Sequence, residues 1–324
     1  MSKFNDYLRL MRISLLPTAW SNVLMGAAMI GDVGQWPLIL LLLLCSSCLY
    51  IAGMVLNDVY DVEIDRKERP ERVLPSGKIP VSHAKAFGYS LLAAALAIGL
   101  FLSLDFSGKG GDSFRLNAPT FAVVVGLIIL ILLYNRTAKH SRYGPIVMGL
   151  CRSGNVVLGG SLTRDLLDLP ISGGLLFVAL SVGLFVAGIT WFAKHENDAG
   201  IKSTLFLGAG CMAAAIGALF WFPFTSMFQF SFLAVHGATP NQSPLLFCGL
   251  LAMMIFPVVR KVILATVTAS PSDIKQAVIG SLLTIIMIDA SICYLVSPGN
   301  PAYALVVASL IVPAFLMTRR IMAT

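Results

Sequence analysis

The residues best suited to chemistry form an acidic cluster directly after a long apolar run. Its polar members follow a spacing of one, three and four residues, and they are Asn57, Asp58, Asp61 and Asp65. At 3.6 residues per turn, this spacing places all four side chains on one face of a helix. Three carboxylates within about two turns repel one another at a low-dielectric boundary, so a cation should compensate them. Carboxylates are hard oxygen ligands that suit Mg²⁺, which commonly binds one or two of them together with phosphate oxygens.

The same cluster has a simpler interpretation as a solvated helix end. Arg66, Lys67 and Arg69 follow it at once and could neutralise the carboxylates without a metal. Because the acidic spacing continues a transmembrane helix without a break, we favour the cation-binding interpretation. The ion-paired helix end remains the alternative.

The composition places this cluster at a membrane. Of the 324 residues, 57% are hydrophobic and 12% are charged, whereas roughly a quarter are charged in an average soluble domain. The mean hydropathy is +0.84, and no soluble core could hide that much apolar surface. The chain is therefore predicted to be an integral membrane protein. The composition excludes a disordered chain, a disulfide-stapled secreted domain and a soluble dinucleotide-binding enzyme.

Ten apolar runs are long enough to cross a bilayer as helices, since a span needs about 20 apolar residues. No hydrophilic stretch between them is large enough to fold alone, so one membrane-embedded domain is expected to fill residues 1–324. The runs cover residues 13–31, 37–58, 84–104, 117–134, 145–162, 171–194, 203–223, 245–265, 275–296 and 301–318.

The basic residues indicate the orientation. With the N-terminus in the cytoplasm, all of the 23 Lys and Arg residues fall in inner segments except Lys109, Arg115, Arg164 and the intramembrane Arg152. This bias fits the positive-inside rule and predicts that both termini are cytoplasmic. The basic residues are spread over short loops without interleaved aromatic residues, so a nucleic-acid partner is excluded and the lipid bilayer is the expected surroundings.

The acidic cluster resembles the NDxxDxxxD motif of the UbiA superfamily of intramembrane prenyltransferases. Its continuation through Arg69–Pro70, Arg72 and Leu74–Gly77 is also similar to that family. The resemblance implies an all-α fold, a polytopic membrane bundle of nine to ten transmembrane helices around a central cavity. It also implies acidic loops on the cytoplasmic side.

Other parts of the chain extend the resemblance. Asn22 lies in the first run where the family has a polar residue, Tyr134–Asn135 closes the fourth run, and Gly200–Thr204 is similar to the segment after the family's second acidic motif. That second motif is usually DxxxD, and its positions here hold Phe192 and Glu196. One carboxylate is therefore retained and one is lost.

The altered second motif leaves two expectations for its surroundings. Either Glu196 and Asp198 hold a second Mg²⁺ weakly, or a protein cation such as Lys194 contacts the substrate instead. The first motif is thus expected to carry most of the metal binding.

The resemblance implies Mg²⁺-dependent transfer of a prenyl group from an isoprenoid diphosphate to an acceptor, through a carbocation that Trp191 or Phe192 could stabilise. The carboxylates expected to be catalytic and to bind the metal are Asp58, Asp61, Asp65 and Glu196. The residues expected to bind substrate are Asn22, Asn57, Arg66, Arg72, Lys139, Arg152, Asn155, Lys194, Asp198 and Lys202.

The acceptor and the outcome of the chemistry stay open in the sequence. An aromatic compound, a quinone precursor and a sugar- or cyclitol-like molecule are all candidate acceptors. The same scaffold could act as a terpene cyclase or join the prenyl chain to a sugar or cyclitol phosphate. From another class, the chain could be a lipid transporter or a catalytically inactive lipid-binding protein. Gly149–Asn155 resembles an EboC-like subgroup encoded in bacterial ebo-type clusters. The expected location is a bacterial inner membrane.

Overall fold

The structure is a computed structural model that describes residues 3–31, 34–104, 118–162, 169–194, 202–237, 240, 243–297 and 300–322. Every regular element in these ranges is helical, which confirms the all-α prediction. The helices are α1 Lys3–Leu10, α2 Leu16–Met29, α3 Trp36–Tyr60, α4 Val62–Glu68, α5 Val81–Ser103, α6 Ala118–Leu133, α7 Gly144–Gly159, α8 Leu169–Ala193, α9 Lys202–Trp221, α10 Ser226–His236, α11 Pro244–Thr268, α12 Pro271–Val296, α13 Pro301–Ser309 and α14 Ile311–Met322.

Eight helical segments within the described ranges are long and apolar enough to cross a membrane. The two other predicted spans are also helical but shorter, namely Ile13–Met29 and α7. Large apolar side chains such as Phe256 and Leu305 point outward and are 69% and 70% exposed. Such surface is stable only against lipid. The chain is therefore a multi-pass integral membrane protein.

The short helices α2 and α7 pack against each other through glycine. A Cβ atom added to Gly26 of α2 would lie 2.1 Å from the carbonyl oxygen of Val156, and one added to Gly159 of α7 would lie 2.1 Å from that of Val23. Only glycine permits so close an approach of two helix backbones. This contact brings together the helices that carry Asn22 and Arg152.

The end of α3 and the start of α4 form a nearly continuous helix. The Asp61 N–H donates to the Asn57 carbonyl oxygen at 3.1 Å, and the Asp65 N–H donates to the Asp61 carbonyl oxygen at 2.8 Å. The helical hydrogen-bond pattern therefore runs through the acidic cluster. Leu74 and Ile79 are buried in the segment that follows α4 and fix that segment against α3.

A π-helical turn at Tyr134–Ala138 ends α6. The Lys139 N–H donates to the Tyr134 carbonyl oxygen at 2.9 Å, which adds one residue to the usual helical turn. The wider turn directs Asn135 toward α3, where its Nδ2 donates to the Gly53 carbonyl oxygen at 3.3 Å. It also places Lys139 beside the acidic cluster.

Candidate functional site

Two arginines from outside the acidic cluster neutralise Asp58 and Asp65. Arg12 Nη2 donates to Asp58 Oδ1 at 2.7 Å. Arg72 Nη1 donates to Asp65 Oδ2 at 2.7 Å and lies 3.9 Å from Asp58 Oδ1. Because Arg72 reaches both carboxylates, Asp58 and Asp65 share one face, as their spacing predicts.

Asp61 is buried, with 6% of its surface exposed, and is surrounded by donors. Lys139 Nζ donates to Asp61 Oδ2, and His140 Nε2 lies 3.6 Å from Oδ1. Asn57 Nδ2 lies 3.4 Å from Asp61 Oδ2 and 3.3 Å from Asp58 Oδ1, so one amide stands between the two carboxylates. Each of the three carboxylates in the cluster is thus paired with a protein cation.

The ion pairs differ from the local alternative suggested by the sequence. Arg66, expected to bind substrate or neutralise the cluster, turns away and donates to Glu63 at 2.7 Å. Both of these side chains are more than half exposed. A surface pair of this kind contributes little and leaves Arg66 outside the site. The neutralising cations come instead from the segment between α1 and α2, the segment after α4 and the residue that follows the π turn.

The cluster can share a metal ion with a substrate but does not enclose one. Within the described part of the chain, no three His, Cys, Asp or Glu side chains come close enough to hold a metal ion. Mg²⁺ needs only one or two carboxylates, since water and phosphate oxygens complete its octahedron. Asp58 and Asp61, bridged by Asn57, supply that number of hard oxygen ligands. The expectation that Asp65 also binds the metal stays a prediction.

An apolar cavity begins at Asn57. One stripe of α3 lines it at helical spacing, and the facing walls belong to α2, α6, the π turn and α7. The lining residues are Ala19, Ser46, Leu49, Tyr50, Gly53, Met54, Asn57, Leu127, Ile131, Tyr134, Asn135, Met148, Cys151, Arg152 and Asn155. On the other side of the cluster, Asp58, Arg12 and Arg72 line a second, more polar cleft. The carboxylates therefore lie between an apolar and a charged compartment.

A buried hydrogen-bonded network holds Arg152 at the wall of the cavity. Arg152 Nη1 donates to Asn22 Oδ1 at 3.3 Å, and Nη2 donates to Thr18 Oγ1 at 2.9 Å. Asn22 Nδ2 and Ser21 Oγ donate to Asp289 Oδ2 at 2.8 and 2.6 Å. Asp289 in α12 thus makes interhelical hydrogen bonds to α2, and the network links α2, α7 and α12.

Asn155 lies one helical turn after Arg152 on α7, and its side chain hydrogen-bonds to two neighbouring helices. Its Nδ2 donates to the Ala19 carbonyl oxygen at 2.8 Å, and its Oδ1 accepts from Ser46 Oγ at 2.7 Å. Asn155 therefore ties α7 to α2 and α3 while still forming part of the cavity wall.

The expected second acidic motif contributes less than the first to the described site. Lys194 and Lys202 are exposed at the facing ends of α8 and α9, and neither lines the cavity or the polar cleft. Phe192 is buried against α9, and neither it nor Trp191 lines the cavity, so their expected role in stabilising a carbocation is not supported. Glu196 and Asp198 lie outside the described residues.

Sequence reasoning missed three residues of this site. Arg12 adopts a left-handed backbone conformation with φ of 46°, and its carbonyl oxygen accepts a 3.1 Å hydrogen bond from the Tyr50 hydroxyl. His140 faces Asp61. Tyr50 could have been found, because it lies seven residues before Asn57 and hence on the same face of α3.

The profile of the UbiA prenyltransferase family matches residues 14–275. The chain belongs to this family. The match covers the acidic cluster, the cavity walls contributed by α2, α3, α6 and α7, and the helices up to α11. The resemblance carried by the acidic motif is therefore confirmed.

Among curated relatives, this UbiA family member is 32% identical over 162 residues to digeranylgeranylglyceryl phosphate synthase of Sulfolobus acidocaldarius. That alignment covers 50% of this chain and 54% of the relative. The chain thus spans about half the length of the curated relatives it matches.

Two solved structures share the UbiA fold. A structure of digeranylgeranylglyceryl phosphate synthase in membranes aligns with a TM-score of 0.61 and 19% identity, covering 92% of this chain and 99% of that one. A UbiA homologue from Archaeoglobus fulgidus, bound to GPP and Mg²⁺, aligns with a TM-score of 0.50 and 17% identity, covering 94% of this chain and 99% of that one. At these identities the likeness shows the fold alone.

Proposed function

We propose that this protein transfers a prenyl group from an isoprenoid diphosphate to an acceptor within the membrane, with Mg²⁺ as its cofactor. One observation carries the proposal: the apolar cavity ends at Asn57, whose amide lies within 3.4 Å of carboxylate oxygens of both Asp58 and Asp61. An isoprenoid diphosphate has the same division into an apolar chain and a charged head. The UbiA homologue that holds GPP and Mg²⁺ supports this donor and this metal.

The donor's two parts are proposed to bind on opposite sides of Asn57. The prenyl chain lies in the apolar cavity, where burial excludes water from the reacting carbon. The diphosphate lies at the carboxylates, where Asn57, Asp58 and Asp61 would hold Mg²⁺ and Asp65 would keep Arg72 in place. When bound, Mg²⁺ supplies charge neutralisation that favours departure of the diphosphate.

Protein cations also stabilise the negative charge that develops on the departing diphosphate. Arg12, Arg72 and Lys139 already lie at the carboxylates and can turn toward the diphosphate oxygens. In the transfer, the bond between the prenyl carbon and the diphosphate oxygen breaks, and pyrophosphate leaves. A bond from that carbon to the acceptor's nucleophilic atom forms, and the acceptor loses its proton. Tyr134 lines the cavity near Asp61 and offers an aromatic face to the positive charge that develops on the prenyl carbon.

The acceptor class that the relatives favour is an alcohol of the glyceryl phosphate type. Their name states a product in which a glyceryl phosphate carries two geranylgeranyl groups. We therefore place this acceptor ahead of an aromatic compound, a quinone precursor or a cyclitol. The reacting cluster is proposed to face the cytoplasm, and both termini with it, because the basic residues concentrate on that side.

The proposed function is tested with membranes that contain the protein. They are incubated with prenyl diphosphates of several lengths and geranylgeranylglyceryl phosphate, in Mg²⁺ or in EDTA. Pyrophosphate release that requires Mg²⁺, and a product larger by one prenyl group in mass spectrometry, are expected. A cyclised hydrocarbon would identify a terpene cyclase. No pyrophosphate from any donor would overturn the assignment in favour of lipid binding or transport.

Lys139 is expected to compete with Mg²⁺ for Asp61. The Lys139 ammonium group donates to Asp61 Oδ2, so a metal at that oxygen must displace it or meet its repulsion. Lys139→Met should lower the Mg²⁺ concentration for half-maximal pyrophosphate release by roughly three- to tenfold, which corresponds to about 1 kcal/mol. The measurement is a Mg²⁺ titration at saturating donor.

Lys139→Arg is the matched control because it retains the positive charge. Its half-maximal Mg²⁺ concentration should stay close to that of the unmodified protein. A Lys139→Met protein with an unchanged or higher Mg²⁺ requirement would contradict competition at Asp61.

A further inference from the structure

Arg152 is an unusual feature of the apolar cavity. Within the described part of the chain, it is the one charged side chain that lines this cavity. An arginine at membrane depth is costly and faces either a partner charge or a cavity with a polar occupant. No Asp or Glu among residues 3–31, 34–104, 118–162, 169–194, 202–237 and 243–297 forms an ion pair with it.

The partners of Arg152 hold it without neutralising it. Asn22 Oδ1 and Thr18 Oγ1, both fully buried, each accept one of its five N–H donors. Arg152 lines the cavity and is half-buried as a residue, so its remaining N–H donors can face an occupant. A planar fork with free N–H groups matches the geometry of a phosphate or a carboxylate.

Asp289 fixes the orientation of the Arg152 guanidinium group through Asn22. Its Oδ2 accepts from Asn22 Nδ2, so the Asn22 amide oxygen must face Arg152. Its other oxygen, Oδ1, is buried without a hydrogen-bond partner in the described residues. The Asp289 carboxylate therefore compensates the arginine charge through Asn22, without an ion pair to the guanidinium in the described residues.

The position of Arg152 suits an acceptor better than the donor's diphosphate. Tyr50 is close enough to Arg152 to interact with it electrostatically, and it lies seven residues before Asn57 on α3. Seven residues of helix correspond to about 10 Å, so the Tyr50 backbone lies about two turns before Asn57 along α3. An acceptor whose anionic group and nucleophilic atom are a few bonds apart can extend from Arg152 toward the reacting carbon.

We propose that Arg152 binds the oxyanion group of the acceptor, and that Asp289 acts through Asn22 as a positioning residue for it. This inference rests on the proposed prenyl transfer and adds the residues that recognise the anionic group of the acceptor. The shared chemistry is a phosphate or a carboxylate on a molecule that also carries a nucleophilic hydroxyl group.

The experiment compares matched acceptors with and without the oxyanion. One pair is geranylgeranylglyceryl phosphate and geranylgeranylglycerol, and the other is a hydroxybenzoate and the corresponding hydroxybenzamide. The unmodified protein should prefer the anionic member of one pair, which tells a phosphate from a carboxylate. Arg152→Gln should raise the KM for that acceptor on the order of ten- to a hundredfold and remove the preference, with the donor KM unchanged.

Three further variants separate binding from structure. Arg152→Lys keeps the charge without the fork and should recover part of the preference, and it replaces Arg152→Gln if the latter does not fold. Asp289→Asn should raise the KM for the anionic acceptor while the donor KM stays unchanged. Arg260→Gln, an exposed change on α11, is the control and should leave both KM values unaltered.

Each outcome decides the inference. A rise in the donor KM, a preference that survives Arg152→Gln, or an unmodified protein without preference for either anionic acceptor would overturn it. Pyrophosphate release without transfer to an anionic acceptor would also overturn it, while the donor half of the proposed function stands. The absence of pyrophosphate release from every donor would instead refute the proposed function itself.

Discussion

Asp61→Asn is expected to reduce pyrophosphate release on the order of 10²–10³-fold, because metal-assisted charge neutralisation contributes several kcal/mol to such a reaction. Asp61 is buried, and its two oxygens are the point where Lys139, His140 and Asn57 converge. An amide keeps the shape of the side chain but removes its negative charge. The variant would leave Lys139 unpaired and weaken any shared metal, so the loss should appear in the turnover number in reconstituted membranes.

The control for this variant is Glu63→Gln. Glu63 lies two residues from Asp61, but its side chain is exposed and pairs with Arg66 on the surface. The control should retain turnover within about twofold, since surface ion pairs contribute little. Undiminished turnover by Asp61→Asn would refute the role of the first motif, and an equal loss in both variants would show a general response to charge rather than a site at Asp61.

The local features of the site could be predicted from the sequence because they depend on helical periodicity. The spacing of Asn57, Asp58, Asp61 and Asp65 is a property of one stretch of chain, and the hydrogen bonds through Asp61 preserve it. The apolar runs likewise identify helices by length and composition alone. Two of the predicted spans, α2 and α7, are shorter than a bilayer span. Both pack within the bundle and bury much of their surface there.

Arg72 follows Asp65 by seven residues and is expected at the site, but the pairing of Arg12 with Asp58 and of Lys139 with Asp61 could not be predicted, because these partners are distant in sequence. Arg12 lies 46 residues from Asp58, and Lys139 lies 78 residues from Asp61. Proximity in sequence favoured Arg66 instead, but the turn of α4 directs it to Glu63. Only the packing of the segment before α2 and of the π turn against α3 brings Arg12 and Lys139 to the cluster.

The buried hydrogen-bonded network around Arg152 also could not be predicted, because its members are even farther apart in sequence. A carboxylate deep in a span predicts an interhelical hydrogen bond, and Asp289 makes two of them. Its partner Asn22 lies 267 residues away, so no pattern in the sequence could connect it to Arg152. The hydrogen bond between Arg152 and Asn22 depends on how closely α7 approaches α2, and the glycines of these two helices set that distance.

Gly159→Ala is therefore expected to be among the most destabilising single-methyl changes in the chain. The added Cβ would lie 2.1 Å from the Val23 carbonyl oxygen and 2.9 Å from the Val23 Cα. Both are backbone atoms of the facing helix, so no side-chain rotation can relieve the contact. Overpacking of this kind costs about 3 kcal/mol, and separation of α2 from α7 would also pull Asn22 away from Arg152.

Thermal unfolding in detergent measures the effect, with Gly126→Ala on α6 as the matched control. A Cβ at Gly126 meets nothing within 4 Å, so that variant should gain up to about 1 kcal/mol from the helix propensity of alanine. The two alanines should thus shift the midpoint in opposite directions. Equal midpoints would show that α2 and α7 can move apart freely. In that case the approach of their backbones would not be what holds Asn22 against Arg152.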